Sequence, residues 1–198
     1  MTGPARRQLD PLVKLDLDTM VARAQDGDLA AFEALVDQFS GPLFRLAYRM
    51  VGDRPTAEDI VQDALLTAWR RLPVLAEPGA FGGWLYQVAT NRCLDLLRQQ
   101  ARQRTEATDA GQLERVADED PHRATDPADA AEVNAQLDEL AALLRELPGV
   151  VRACWVLREL QGLSYLEIAT IVHSPESTVR GRIARARCHL AKGMSRWQ

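Results

Sequence analysis

The chain has 198 residues with a formal net charge of −4, and 46% of the residues are hydrophobic. This size and composition suit one ordinary domain or two small helical domains, and the charge alone does not indicate a nucleic-acid-binding protein. No apolar run approaches the roughly 18 residues of a transmembrane helix, and the N-terminus lacks the apolar region of a signal peptide. We therefore expect a cytoplasmic protein.

The three cysteines, Cys93, Cys154 and Cys188, are far apart and form no C-x-x-C pair. The histidines add no metal-type spacing to them. We interpret the cysteines as small buried hydrophobic side chains in a reducing compartment. The sequence accordingly predicts neither a metal site nor any other cofactor.

The first part of the chain predicts a flexible N-terminus over residues 1–17 and a helical domain over residues 18–104. Apolar residues recur at three- and four-residue steps from Phe32 to Met50. This periodicity predicts an amphipathic helix, with a bend near Pro42.

Two more helices are predicted in this domain. One begins with a capping box formed by Thr56 and Asp59, and the other begins near Ala80 and becomes basic toward its end. The apolar stripe of the first of these helices comprises Ile60, Val61, Ala64, Leu65, Ala68, Trp69 and Leu72.

Residues 105–132 hold nine acidic residues, two arginines and almost no large apolar side chains. Such a segment cannot bury enough surface to offset the entropy lost on ordering, so we predict a flexible acidic linker. Residues 133–198 then return to helical periodicity. The predicted fold is all-α, with two small helical domains joined by this linker.

The pattern of Leu163–Arg187 predicts a helix-turn-helix. Ser164 and Glu167 are expected to form a capping box at the start of its first helix. Ser174 is expected to cap the second helix, with Pro175 in the first turn, where a missing N–H does no harm.

The second helix of this motif carries the residues expected to contact DNA. Residues 173–198 contain six Lys or Arg residues and one acid. The N-terminal part of such a helix usually reaches base edges in the major groove, where Arg can pair with guanine. A solvated basic face would explain the charges alone, but not two capped helices joined by a short turn.

Six segments of the two domains share their order and spacing with a known bacterial family: Phe44–Asp53, Ala57–Asp63 with Ala68–Trp69, Phe81–Leu85, Asn91–Arg98, Leu157–Tyr165 and Ser177–Arg187. Together they resemble an RNA polymerase sigma factor of the extracytoplasmic-function (ECF, group IV) class of the sigma-70 family. The resemblance covers about residues 25–104 and 133–192. It implies a sigma-2 domain followed by a sigma-4 domain.

The resemblance implies that the chain is not an enzyme. It would bind core RNA polymerase (β and β′ subunits), recognise the −35 and −10 elements of promoter DNA, and stabilise the melted strand. Many members are held inactive by an anti-sigma factor, which makes such a factor a further candidate partner. The implied β′-docking residues are Glu58, Asp59, Gln62 and Asp63. The implied DNA contacts are Asn91, Arg92 and Arg98 at −10, and Glu176, Ser177, Arg180, Arg182 and Arg185 at −35.

The sequence departs from the family's pattern at four positions. Gln87 and Thr90 stand where members often carry Arg or Lys, so contacts to melted DNA would rest on neighbouring positions. His173 replaces the usual turn glycine, and we interpret it as a turn residue that tolerates strained dihedrals. Gly181 lies inside the second helix, where glycine costs about 1 kcal/mol relative to Ala.

Trp84 has apolar neighbours and is interpreted as a core residue rather than a base-stacking one.

An ordinary helix-turn-helix repressor or activator is the alternative, with residues 18–104 as a ligand-binding or dimerisation domain. It explains the second domain but not the sigma-2-like segments. A nuclease or other enzyme has little support, because the acids lie on helix faces or in the linker and form no metal constellation.

Overall fold

The computed structural model of the chain describes residues 11–107 and 139–194, and all regular structure in these two ranges is helical. This confirms the predicted all-α fold. The first range holds α1 (Pro11–Gln25), α2 (Leu29–Val51), α3 (Arg54–Arg71) and α4 (Phe81–Ala107), with short 3₁₀ turns at Leu72–Val74 and Pro78–Ala80. The second range holds α5, which covers residues 139–146, then α6 (Gly149–Glu159), α7 (Tyr165–Ile171) and α8 (Glu176–Met194). No helix in either range is long and apolar enough to cross a membrane.

The described helices extend beyond two of the predicted boundaries. α1 begins at Pro11, so it overlaps the N-terminus that was predicted to be flexible over residues 1–17. α4 continues to Ala107. The rest of the predicted linker over residues 105–132 lies outside the described residues.

α2 confirms the long amphipathic helix. Its N-cap is Asp28, whose carboxylate accepts a hydrogen bond from the Ala31 amide at 3.1 Å. The helix continues through Pro42 and ends at Gly52, which has a φ of 78° and donates its amide to the Tyr48 carbonyl at 2.8 Å. A left-handed residue of this kind is a common helix terminator.

The capping box predicted at Thr56 and Asp59 is wrong. α3 begins at Arg54 with Asp53 as its N-cap, and the Asp53 carboxylate accepts from the Thr56 amide at 2.9 Å and from the Thr56 hydroxyl. Asp caps a helix at least as well as Thr. Pro55 fits the first turn because its missing N–H would have no partner there.

The core of the first region lies between α2, α3 and α4. Phe39 of α2 meets Phe81 of α4 edge to face, with ring centroids 5.5 Å apart. Side chains that are almost fully buried around this pair include Leu35, Leu43, Leu46, Met50, Ile60 and Leu85.

The second region packs directly against the first. Val156 and Leu157 of α6 and Ile168 of α7 belong to the same buried cluster as the α2 and α4 residues. A smaller cluster holds α5, α6 and α8 together and comprises Leu144, Leu147, Val151, Ala186 and Leu190. The two helical regions therefore share one continuous apolar core.

Arg152 of α6 links the two regions and is only 5% exposed. Its guanidinium donates to the Met50 carbonyl at the end of α2, and also to the carbonyls of Arg145 at 2.7 Å and Leu147 at 3.2 Å. Carbonyls near a helix C-terminus have no partner within the helix. The buried guanidinium thus donates hydrogen bonds to carbonyls at the end of a helix in each region.

The cysteine prediction holds at two of three positions. Cys93 and Cys154 are buried, and burial raises the pKa of the Cys93 thiol to about 12. Cys188 is exposed, so its predicted burial is wrong. It lies about 200° around α8 from the buried Ala186, since each residue advances a helix by about 100°.

Candidate functional site

α7, α8 and the turn between them form the predicted helix-turn-helix. Ser164 Oγ accepts from the Glu167 amide at 3.2 Å and Glu167 Oε2 accepts from the Ser164 amide at 2.7 Å, which confirms the predicted capping box. His173 has a φ of 48°, which confirms that it is a turn residue in the left-handed region. Buried side chains hold the two helices together: Ile168, Ile171, Val179 and Ile183.

Ser174 does not act as the predicted cap of the second helix. Its hydroxyl donates to the Val172 carbonyl at 3.2 Å and accepts from Arg182 at 2.8 Å. Arg182 also lies beside the Cys154 thiol, whose pKa is raised chiefly by burial and lowered in part by this guanidinium. Arg182, which was predicted to contact the −35 element, therefore makes its contacts with the turn and with α6 of its own domain.

One face of α8 is open to solvent. Ser177, Arg180, Gly181 and Arg185 follow the three- and four-residue steps of a helix face, and all four are exposed. Glu176 is half-buried, and its Oε1 accepts from Arg180 Nε at 3.1 Å and from a terminal nitrogen of Arg180 at 2.5 Å. All five predicted −35 residues lie in the N-terminal half of this helix. Ser177, Arg180 and Arg185 are exposed, whereas Glu176 and Arg182 are half-buried.

Tyr165 was missed by the sequence analysis. Its ring centroid lies 4.5 Å from the guanidinium carbon of Arg180 and 4.6 Å from that of Arg158. Tyr165 is the first residue of α7, where the sequence pattern suggested only a helix start. Nothing local in the sequence shows that the α7 start faces the α8 arginine.

The four predicted docking residues on α3 are all exposed: Glu58, Asp59, Gln62 and Asp63. Glu58 accepts from Arg54 Nε at 2.9 Å within the helix. Asp63 forms an ion pair with Arg92 of α4 at 3.1 Å. An acidic face bearing an amide side chain suits a basic partner surface.

Apolar groups adjoin this acidic face. Leu66 is 52% exposed one turn beyond Gln62. Trp69, which was predicted on the apolar stripe, is 44% exposed and contacts the edge of Phe32 at 4.8 Å between ring centroids. An open groove of about 360 Å³ lies between α2 and α3, and its lining includes Phe44 and Glu58. Of these residues only Glu58 was predicted as a docking residue.

The three predicted −10 residues lie along α4. Asn91 is half-buried, whereas Arg92 and Arg98 are exposed. Arg98 pairs with Asp95 at 2.6 Å, one turn earlier on the same helix. Because Arg92 pairs with Asp63, the predicted −10 surface and the predicted docking surface meet at this ion pair.

The second region covers the N-terminal half of α4. The Tyr86 hydroxyl donates to Gln161 Oε1 at 2.9 Å, and the Gln161 amide nitrogen donates to the Pro42 carbonyl at 3.2 Å. Nε2 of Gln87 lies 3.3 Å from Nε2 of His173, which is in the turn of the helix-turn-helix. Thr90 is fully buried, and its hydroxyl has no hydrogen-bond partner within the described ranges.

Trp84 packs against the core, in line with the interpretation from its apolar neighbours. It is half-buried against the core and lies 6.2 Å from Phe81 between ring centroids.

Comparison with known families matches both regions. The sequence model described as Sigma-70 region 2 matches residues 35–103, and that described as Sigma-70, region 4 matches residues 137–190. The first match contains α3 and most of α2 and α4, and the second contains the helix-turn-helix.

Several known proteins align with most of the chain. RNA polymerase sigma-H factor of Pseudomonas aeruginosa is 34% identical over 88% of this chain and 92% of its own length. ECF RNA polymerase sigma factor SigE of Mycolicibacterium smegmatis is 37% identical over 83% of this chain, and the match spans 63% of SigE. CnrH, solved in complex with the cytosolic domain of CnrY, is 25% identical with a TM-score of 0.66, and the match covers 89% of this chain and 95% of CnrH. The chain belongs to the ECF group of the sigma-70 family and is a non-enzymatic factor that binds core RNA polymerase and directs it to promoters.

Proposed function

We propose that the two regions divide promoter recognition between them. The exposed face of α8, with Ser177, Arg180 and Arg185, reads the −35 element in the major groove. The observation that carries this assignment is the exposed Arg180 in the first turns of α8, paired with Glu176 at 2.5 Å. A guanidinium held in this way can form two hydrogen bonds to a guanine edge. Arg182 is half-buried and donates a hydrogen bond to Ser174, so we assign it to support of the turn rather than to base recognition.

The acidic face of α3 is the proposed docking surface for the β′ subunit. Glu58, Asp59, Gln62 and Asp63 are exposed on this face, and Leu66 adds an apolar side chain beside them. Charge complementarity supplies orientation and association rate, whereas the apolar group supplies buried area.

The −10 element is assigned to α4. Asn91, Arg92 and Arg98 would hold the phosphates and bases of the melted strand, which requires captured single-stranded DNA rather than a chemical step. Arg92 reaches this surface from beside Asp63, so docking and strand capture use adjacent side chains.

The compact arrangement differs from the one that promoter binding requires. Sites labelled −35 and −10 lie about 85 Å apart along a duplex, at about 3.4 Å per base pair. In the structure, α4 and the second region are in hydrogen-bond contact through Tyr86 and Gln161. The regions must therefore separate on the polymerase, and residues 108–138 allow this, since they span about 100 Å when fully extended.

Run-off transcription tests this division of work. Core polymerase and the full chain are mixed with templates in which only the −35 or only the −10 sequence is altered. We expect both alterations to reduce initiation, and Arg180→Ala to change the response to the −35 alteration alone. Initiation that ignores the −35 sequence would contradict the assignment of α8.

A partner that holds the factor inactive is also proposed. It is supported by the likeness to CnrH, which was solved with a cytosolic domain of CnrY bound. Such a partner, like the polymerase itself, would act on this chain in the bacterial cytoplasm.

A further inference from the structure

The arginine on the exposed face of α8 is held from two sides. Arg180 meets the Glu176 carboxylate through two nitrogens, at 3.1 and 2.5 Å, and its guanidinium carbon lies 4.5 Å from the centroid of the Tyr165 ring. The side chain nevertheless remains 61% exposed. Its orientation is fixed while its surface stays available to a ligand.

The Tyr165 ring is itself fixed by its surroundings. It is half-buried against the core, and a second guanidinium carbon, that of Arg158, lies 4.6 Å from its centroid. Arg158 in turn donates to the Leu163 carbonyl at 2.6 Å. The capping box of Ser164 and Glu167 sets the helix start on which Tyr165 lies.

A fixed arginine loses less conformational freedom when it binds. An arginine side chain carries about 2 kcal/mol of rotamer entropy, and pairing with guanine requires one orientation of its planar fork. Interactions that establish this orientation before binding lower the cost of binding. Glu176 alone could hold the guanidinium at one edge, whereas the ring of Tyr165 also restricts its plane.

We propose that Tyr165 is a positioning residue for promoter recognition: it holds the Arg180 guanidinium so that Arg180 discriminates one base pair of the upstream element. The inference rests on the proposed role of α8. Tyr165 acts through Arg180 and through its ring, so its hydroxyl is dispensable. Loss of the ring lowers the base preference at the Arg180 position and leaves the other positions unchanged.

The test uses holoenzyme assembled from core polymerase and the full chain, with promoters randomised across the upstream element. Tyr165→Leu removes the ring and keeps an apolar side chain, while Tyr165→Phe keeps the ring. We expect Tyr165→Leu to lower the preference at one base pair about three- to tenfold, in line with a cation–π contact at a partly exposed site. Tyr165→Phe should retain the wild-type preference.

The double variant Tyr165→Leu/Arg180→Ala separates positioning from a general loss of stability. We expect it to match Arg180→Ala in base preference, because Tyr165 has nothing left to position. An equal loss at every base pair, an unchanged preference in Tyr165→Leu, or a further loss in the double variant would each overturn the proposal.

Failure of the underlying role of α8 gives a different result. In that case Arg180→Ala leaves all base preferences unchanged while the wild-type chain still supports initiation, and the positioning role falls with it. A thermal melt of each variant, together with initiation at an unaltered promoter, identifies variants that fail to fold. If Tyr165→Leu fails to fold, Tyr165→Met replaces it, with the same outcomes applying.

Discussion

Two helices are proposed to contact DNA, and the structure presents them in opposite states. The first half of α8 is open, with Ser177 and Arg180 exposed. The first half of α4 is covered, with Thr90 fully buried and Tyr86 bonded to Gln161 of the second region. The proposed upstream contact surface is therefore open in the free chain, whereas the second region covers the turns of α4 that precede the proposed downstream contacts Asn91, Arg92 and Arg98.

This difference gives each helix a different dependence on polymerase. In the proposed function, α8 needs only to be brought to the −35 element, because Tyr165 and Glu176 already orient Arg180. On α4 the second region must move away before the turns around Tyr86 and Gln87 are exposed. The proposed docking face of α3 adjoins α4 through the Asp63–Arg92 pair, so binding at α3 would take place beside the proposed −10 surface.

The largest expected effect comes from breaking the buried link between the two regions. Arg152→Met removes a buried guanidinium that bonds to the carbonyls of Met50, Arg145 and Leu147. Hydrogen bonds to charged groups contribute about 1.5–3 kcal/mol each, and buried carbonyls without partners carry a further cost. We expect the free energy of unfolding to fall by about 3 kcal/mol, measured by chemical denaturation.

The same variant should also let the two regions separate, which would expose the first half of α4. A dye on exposed Cys188 and a second on Glu33→Cys would report the distance between the regions by energy transfer, since Cys93 and Cys154 are buried. Arg152→Met should lower the transfer before polymerase is added. Arg98→Met, which alters only an exposed pair with Asp95, is the matched control and should change neither quantity. Wild-type stability and transfer in Arg152→Met would show that this residue does not hold the regions together.

The next effect sharpens the role of α8 by comparing two of its arginines. Arg180 is exposed, whereas Arg182 is bonded to Ser174. Arg180→Ala should cost about 1–3 kcal/mol of binding at one base pair and relax specificity there. Arg182→Ala should lower thermal stability and leave the pattern of base preference intact. Both are measured by binding and melting assays, and a loss of preference at a single position in Arg182→Ala would place that residue at the DNA instead.

A smaller effect concerns the ion pair where the docking and −10 surfaces meet. Asp63 and Arg92 are each about half exposed, so the pair contributes at most about 1 kcal/mol to stability. Asp63→Asn should weaken core-polymerase binding about three- to tenfold, because a charge facing a basic partner is lost. Arg92→Gln should leave that affinity unchanged and reduce strand opening. Fluorescence titration and permanganate footprinting measure the two quantities, and equal losses of affinity in both variants would assign the pair to docking alone.

Local features of this chain could be predicted from sequence, and features between its regions could not. The Ser164–Glu167 capping box and the turn at His173 depend on residues a few positions apart, and both are confirmed. The helix start predicted at Thr56 was wrong because Asp53, another good cap, lies just upstream. Arg152 looks in sequence like any charged helix residue, since its three carbonyl partners are defined only by tertiary packing.

The smallest expected effect is a gain in stability on the open face of α8. A Cβ at Gly181 would meet nothing within 4 Å, and glycine inside a helix costs about 0.5–1 kcal/mol relative to Ala. Gly181→Ala should therefore raise the free energy of unfolding by about that amount and leave the contact between the regions unchanged. Gly193→Ala makes the same change later in α8, where the new Cβ would collide with the Leu143 side chain, and it should lower stability instead. Denaturation curves of the two variants therefore compare an open position with a closely packed position on the same helix. A loss of stability in Gly181→Ala would mean that the face carrying Arg180 is covered, as the first half of α4 is.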